Sequence, residues 1–149
     1  MIYTAIIAAL SSLDLGIKWL IEREKPEDFP KPLPHTCGKI LLYHNHNAGF
    51  PFGFLKKHGE VVRMLPLSVI CGLAGYLAAL LPQKGKKVQK LGIAMILGGA
   101  LSNLYDRLVR RYVVDYFSIQ CGKLKEVVFN LGDIFVFLGS GILFGAEIL

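Results

Sequence analysis

The sequence predicts a mainly α membrane protein of four transmembrane helices, and three observations predict it. Apolar residues make up 53% of the chain and charged residues only 19%, below the roughly 25% charged share of soluble domains. The mean hydropathy is +0.47. Four apolar runs, set apart by polar connections, approach the ~20 residues needed to cross a ~30 Å hydrocarbon core. With 149 residues the chain is long enough for one domain and too short for two ordinary ones. A single integral membrane domain, 1–149, is therefore expected, with spans near 1–21, 62–81, 90–106 and 127–147.

The first run, Met1 to Ile21, is interrupted only by Asp14 and Lys18. It lacks a basic leader, and ionisable residues stand where a cleaved signal would be apolar, so it reads as a retained span. The second, Met64 to Leu81, carries no charge, and the third, Leu91 to Tyr105, ends in Asp106 and Arg107. The fourth, Val127 to Leu149, contains Asp133 near its start. Lys84, Lys86, Lys87 and Lys90 crowd the short connection before the third span, with no acid among them. The positive-inside rule places that loop in the cytoplasm, and with it both termini. The remaining connections then lie outside.

The first outer connection, Glu22 to Glu60, holds Pro26, Pro30, Pro32 and Pro34 and reads as an extended excursion. Within the outer connections, Gly38 to His44 and Tyr112 to Ile119 are rich in β-branched and aromatic residues, so two short strands are expected there and can pair. The net charge of +6 fits loops facing anionic headgroups better than a nucleic-acid surface. No nucleic-acid partner is expected. Cys37, Cys71 and Cys121 form no disulfide framework, though Cys37 and Cys121 can meet if they share a compartment. Small residues four apart, at Ala94, Gly98 and Ser102, at Gly75 and Ala79, and at Gly141 and Gly145, allow close helix approach.

Charges inside a span are costly, so each needs a reason. Asp14 and Lys18 share a helix face and are expected to form an ion pair that orients the first span. Asn103, Asp106 and Arg107 share another face, where Arg107 can meet a carboxylate, a headgroup or a substrate carbonyl, or simply end a solvated helix. Asp133 has no basic residue or histidine within a turn of it in sequence. Facing lipid it would cost about 2.5–3.5 kcal/mol, so it must face the bundle interior, with Asn130 one turn before it as a hydrogen-bond partner. Asp115, in the apolar run Val113 to Phe117, lies on the same side of the bilayer in this topology. Two such acids brought together share one proton, which is the chemistry of a water-activating pair; two structural acids are the alternative. His44 and His46 point to one face of a strand, with His35 and His58 in the same connection. Lacking an evident third ligand, they read as a polar strand meeting headgroups more readily than as a metal site.

These residues fall into five blocks that resemble, in order, those of the lipoprotein signal peptidase (signal peptidase II) family. Asp14-Leu-Gly-Ile-Lys18 is similar to D-x-x-x-K, Asn47-Ala-Gly-Phe-Pro-Phe52 to N-x-G-A-A-F, and Gly98 to Arg107 to G-G-A-x-G-N-x-x-D-R. Val113-Val-Asp-Tyr116 is similar to V-V-D-F and Phe129-Asn-Leu-Gly-Asp133 to F-N-x-A-D. Phe50, Pro51, Ser102, Gly132 and Leu15 depart from the family pattern. The resemblance implies four transmembrane helices with a small extracytoplasmic β-cradle and an interfacial helix. It implies cleavage of diacylglyceryl-modified prolipoproteins just before the lipid-modified cysteine, in the bacterial cell membrane, by a monomer without metal or organic cofactor. Asp115 and Asp133 would be the catalytic pair, with Asn47, Gly49, Asn103, Arg107 and Asn130 around the substrate. Asp14, Lys18 and Asp106 would support the polar interior. Membrane lipids and the lipidated precursor are the implied partners. The alternatives are a non-enzymatic four-span protein, a small transporter or assembly factor, in which Asp133 relays protons or binds a cation, and a metal-dependent protease using His44 and His46.

Overall fold

The computed structural model describes residues 1–49 and 59–148. Phe50, Pro51, Phe52, Lys56, Lys57 and His58 lie outside the described residues. Helix α1 covers Ile2–Arg23, α2 Gly59–Leu80, α3 Lys87–Tyr105 and α4 Leu131–Ile148. Strand β1 is Lys31–Pro32, β2 Ile40–Asn47 and β3 Val113–Ile119. Both α1 and α2, at 22 residues, are long and apolar enough to cross a membrane. Large apolar side chains such as Leu13, Trp19, Leu65, Val69, Phe137 and Phe144 are exposed on the helices. So much outward apolar surface suits lipid as the solvent.

Central in the bundle, α3 packs on α1, α2 and α4. Its contact with α4 is backbone on backbone: a Cβ added at Gly99 would stand 2.1 Å from the Gly132 carbonyl oxygen, and one at Gly139 would stand 2.6 Å from that of Gly92. Two glycine pairs seven residues apart on antiparallel helices thus set the seam. Gly98 abuts α1, where a Cβ would stand 2.9 Å from that of Leu10, and Ser11 Oγ donates to the Gly98 carbonyl at 2.7 Å. Of the expected small-residue stripes, only the one on α3 lies in a helix contact. Gly75, Gly141 and Gly145 would have nothing within 4 Å of an added Cβ, so they face outward, and periodicity alone had no means of telling which side of a helix meets its neighbour. Ile70, Leu77, Leu80, Ile93, Leu97 and Leu104 fill the α2–α3 interface. Lys90 is not a loop cation: its Nζ donates to the Leu81 and Gln83 carbonyls at 3.1 and 2.6 Å and closes the end of α2.

The two strand regions pair antiparallel, with Asn45 opposite Asp115 and Asn47 opposite Val113, and β1 adds a short third strand at the β2 edge. Leu42 and Asn45 bracket a shift in register. The chain after β3 passes a short 3-10 turn at Gly122–Glu126 and returns to the sheet, where Phe129 pairs with Phe117. That pairing explains why α4 begins at Leu131 and not at the start of the apolar run. Among the described residues, the helical elements besides α1–α4 are two 3-10 turns and a π-helical turn, Asp106–Arg110, where the resemblance implies an interfacial helix. Ile21, Val114 and Tyr116 form a second core that fastens the sheet to the end of α1.

Candidate active site

A buried charge cluster holds the end of the bundle next to the sheet. Lys18 is fully buried, with Asp14 Oδ2 at 2.8 Å and Asp106 Oδ2 at 3.0 Å. Ser102 Oγ and Asn103 Oδ1 complete its surroundings at 3.1 and 2.7 Å. The expected i,i+4 pair is present, and Asp106 joins it from the π-helical turn after α3 instead of ending a solvated helix. Arg110, partly exposed, reaches Asp106 Oδ1 at 3.0 Å, so two cations balance the two buried carboxylates. An ion cluster of this kind contributes little net stability, yet removing one member strands the others.

Each carboxylate of the cluster also grips a neighbouring element. Asp106 Oδ2 accepts the Val114 backbone N–H at 3.2 Å, fixing β3 one residue from Asp115. Asp14 accepts the Ser102 hydroxyl at 2.5 Å and the Tyr116 hydroxyl at 2.9 Å. Tyr116 in turn accepts the Leu131 N–H, also at 2.9 Å, anchoring the first turn of α4. Burial and the adjacent Asp14 raise the Tyr116 phenol well above its ordinary range, so it stays a hydrogen-bond donor. Tyr116 and Ser102 are functional side chains that the reading of individual residues missed. Tyr116 beside Asp115 points to the other side of a strand, and Ser102 stood out only as a departure from the family pattern.

Asp115 is 4% exposed within a strand whose neighbours are equally buried. Its Oδ1 accepts from Asn130 Nδ2 at 2.8 Å and its Oδ2 from Asn47 Nδ2 at 3.1 Å. Burial first, and the charge of Asp133 second, push the Asp115 carboxyl up to about 6, against the two amides that pull it down. Asn47 is aimed by Gly49, whose N–H donates to its Oδ1 at 3.0 Å.

Asp133 faces the bundle interior at the start of α4. Its N–H donates to Asn130 Oδ1 at 2.9 Å, while its Oδ2 accepts the Asn130 N–H at 3.2 Å. This reciprocal exchange is a capping box, with Asn130 as the N-cap and Asp133 three residues on. Asn103 Nδ2 donates to Asp133 Oδ1 at 2.9 Å while the same amide's oxygen accepts from Lys18. One end of the Asn130 side chain therefore holds Asp133 and the other holds Asp115. That bridge, from α4 to β3, is the geometric centre of the site.

Arg107 Nη1 donates to the Asn103 carbonyl at 3.3 Å, and the guanidinium feels the charges of Asp133, Asp115 and Asp106. It lines a cavity of about 360 Å³ together with Ala48, Gly59, Val62, Arg63 and Arg111. Ala48 lies between Asn47 and Gly49, so this space opens beside the residues that hold Asp115. Gly132 is fixed by packing: an added Cβ would stand 2.9 Å from the Gly99 carbonyl oxygen and 3.0 Å from both Asn130 Oδ1 and Asp14 Oδ2. The expected site residues Asn47, Gly49, Asn103, Asn130, Asp115 and Asp133 are thus brought into one linked arrangement, with Asp14, Lys18 and Asp106 directly behind it.

His44 and His46 are elsewhere. Their Nε2 atoms lie 2.9 and 2.7 Å from one oxygen of Glu22, whose other oxygen accepts the Tyr112 hydroxyl at 2.9 Å. Glu22 is the third donor that sequence spacing concealed, since it lies in the last turn of α1, more than 20 residues upstream.

Asp115, buried, and Asp133, partly exposed, both bond to Asn130 at one end of the helical bundle, and the family that the chain matches makes it a membrane peptidase. The Signal peptidase (SPase) II family matches residues 6–149, and the chain belongs to that family. The lipoprotein signal peptidase of Mesorhizobium japonicum is 29% identical over 147 residues, covering 99% of this chain and 85% of that protein. That of Vibrio parahaemolyticus is 32% identical over 145 residues, covering 95% and 83%. Two bacterial membrane enzymes solved by the in meso method, at 2.3 and 1.9 Å, share the fold, with TM-scores of 0.81 and 0.79 at 19% identity. They cover 98% and 97% of this chain, and 87% and 91% of their own chains are matched.

Proposed function

We propose that this chain is an aspartic endopeptidase that removes the signal peptide from diacylglyceryl-modified prolipoproteins, cutting just before the lipid-modified cysteine. Family membership supports the substrate class. The observation that carries the aspartic chemistry is Asn130, whose side-chain amide donates to the Asp115 carboxylate while its backbone N–H donates to that of Asp133. Two carboxyl groups coupled at short range in a poorly solvated site hold one proton between them. The ionised member takes a proton from water as that water attacks the scissile carbonyl, and the protonated member donates to the carbonyl oxygen. The amine leaves with a proton returned from the pair.

All four helices span the membrane in this reading, with both termini in the cytoplasm and the sheet outside. The precursor reaches the site laterally, its acyl chains in lipid and its peptide laid between β2 and the ends of α3 and α4. Asn47, Gly49, Arg107 and Asn130 contact its backbone, and Asn103 positions Asp133. Holding the amide against the acids turns an encounter into an oriented attack. Asp115→Asn and Asp133→Asn are each expected to abolish processing of a lipidated precursor by the purified protein, while the variants still accumulate in the membrane. Processing at the normal rate by either variant removes that residue from the catalytic pair.

A further inference from the structure

We infer that Glu22, His44 and His46 form a binding site for a divalent transition-metal ion of the Zn²⁺ class, separate from the carboxyl pair. The three ligand atoms, two imidazole Nε2 and one carboxylate oxygen, all lie within 4.8 Å of one another. Two nitrogens and one carboxylate are a donor set that favours zinc over calcium or magnesium, which prefer oxygen. At zinc–ligand distances of 2.0–2.1 Å, tetrahedral donors stand about 3.3 Å apart. The two histidine–glutamate gaps of 2.7 and 2.9 Å need to widen by about 0.5 Å, and the gap between the two Nε2 atoms, within 4.8 Å, to settle at the same spacing, a side-chain adjustment.

Support for the ligands is already in place. The Tyr112 hydroxyl holds the second Glu22 oxygen at 2.9 Å, as an outer partner of a ligating carboxylate does. The His46 ring stacks on Tyr112 at 4.0 Å between centroids, and His44 meets the Phe29 ring edge-on at 5.7 Å. Both imidazoles are therefore oriented before any ion arrives. The His46 side chain is 45% exposed, which leaves a path for the ion and a place for a water as fourth ligand. Side chains alternate along a strand, so His44 and His46 occupy the side of β2 opposite Asn45 and Asn47. An ion here would tie the end of α1 to the strand that carries Asn47, from behind the site.

The same geometry bounds the affinity. His44 Nδ1 is buried with no hydrogen-bond partner. Metal at Nε2 moves the ring proton to Nδ1, where no acceptor awaits it, and losing such a partner typically weakens a site by 10–100-fold. Micromolar binding is the expectation.

The test is a titration of the full chain, without a histidine tag and in detergent, with Zn²⁺ in competition with a chromophoric chelator. One equivalent should bind and raise the thermal midpoint. His46→Ala, at an exposed position, and Glu22→Gln should each weaken binding at least tenfold, and replacing Cys37, Cys71 and Cys121 by serine should leave it unchanged. Absence of saturable binding, binding retained in both ligand variants, or loss of binding with the cysteines overturns the assignment.

Discussion

Asp115 carries the clearest electrostatic consequence of the site. Its carboxyl is raised from 3.8 to about 6, so the folded protein holds that proton more tightly than the unfolded chain does. The resulting contribution to stability is complete below pH 4 and lost as pH rises through about 6. Melting midpoints from pH 4 to 8 should therefore show a decline that Asp115→Asn lessens. Activity should follow the same proton: kcat/KM is expected to fall as pH rises past about 6, because the free enzyme then loses the proton that the pair must share. A flat profile from pH 5 to 8 would count against the shared proton. Lys18 is a different case, since its removal leaves Asp14 and Asp106 buried against too little positive charge. Lys18→Met should destabilise the protein by about 3–5 kcal/mol and reduce its accumulation, an effect read by unfolding and not by rate. Much of this was legible in the chain itself. The Asp14–Lys18 spacing requires a shared face, and an isolated Asp133 in an apolar helix requires an interior. What spacing does not convey is reach across the fold: Asn130 touching Asp115, Tyr116 touching Asp14 and Glu22 meeting two histidines each join elements whose mutual placement depends on packing.

Among the elements, the α3–α4 seam is the most demanding. Gly99→Ala forces a methyl to within 2.1 Å of the Gly132 carbonyl oxygen, a backbone atom that moves only if α4 moves. Its thermal midpoint in detergent should drop sharply, by an amount at or above the roughly 1–3 kcal/mol typical of overpacking. Gly141→Ala, with open space around it, should change stability by less than about 0.5 kcal/mol. Equal effects would mean that the seam lies elsewhere. Apolar runs, a proline-rich excursion and two β-branched stretches made the order of helices and strands readable. Three features were not: the two-residue strand β1, too short to have a pattern; the delayed start of α4, which follows from Phe129 pairing with Phe117; and the glycines that touch, because a glycine looks alike on either face.

For the molecule as a whole, the proposed four-span arrangement makes a prediction about sidedness. Cys37 and Cys121 are exposed near the sheet, and Lys84 lies in the short connection between α2 and α3. In a Cys71→Ser background, a membrane-impermeant thiol reagent should label Cys37 and Cys121 from outside, and a cysteine placed at Lys84 only in inverted vesicles. The reverse pattern would invert the proposed orientation. Composition announced a lipid-embedded chain, whereas the sidedness rests on lysine density, a weaker signal in a protein whose outer connections are basic as well. The meeting of α3 and α4 backbone to backbone has one more implication. With no side chain between them to rotate aside, the flank that bears Asp133 behaves as a fixed wall. Room for a bulky guest is then to be sought away from that seam, and a drug scaffold would gain more by wedging beneath the ribbon of β1 and β2 than by prying α3 from α4.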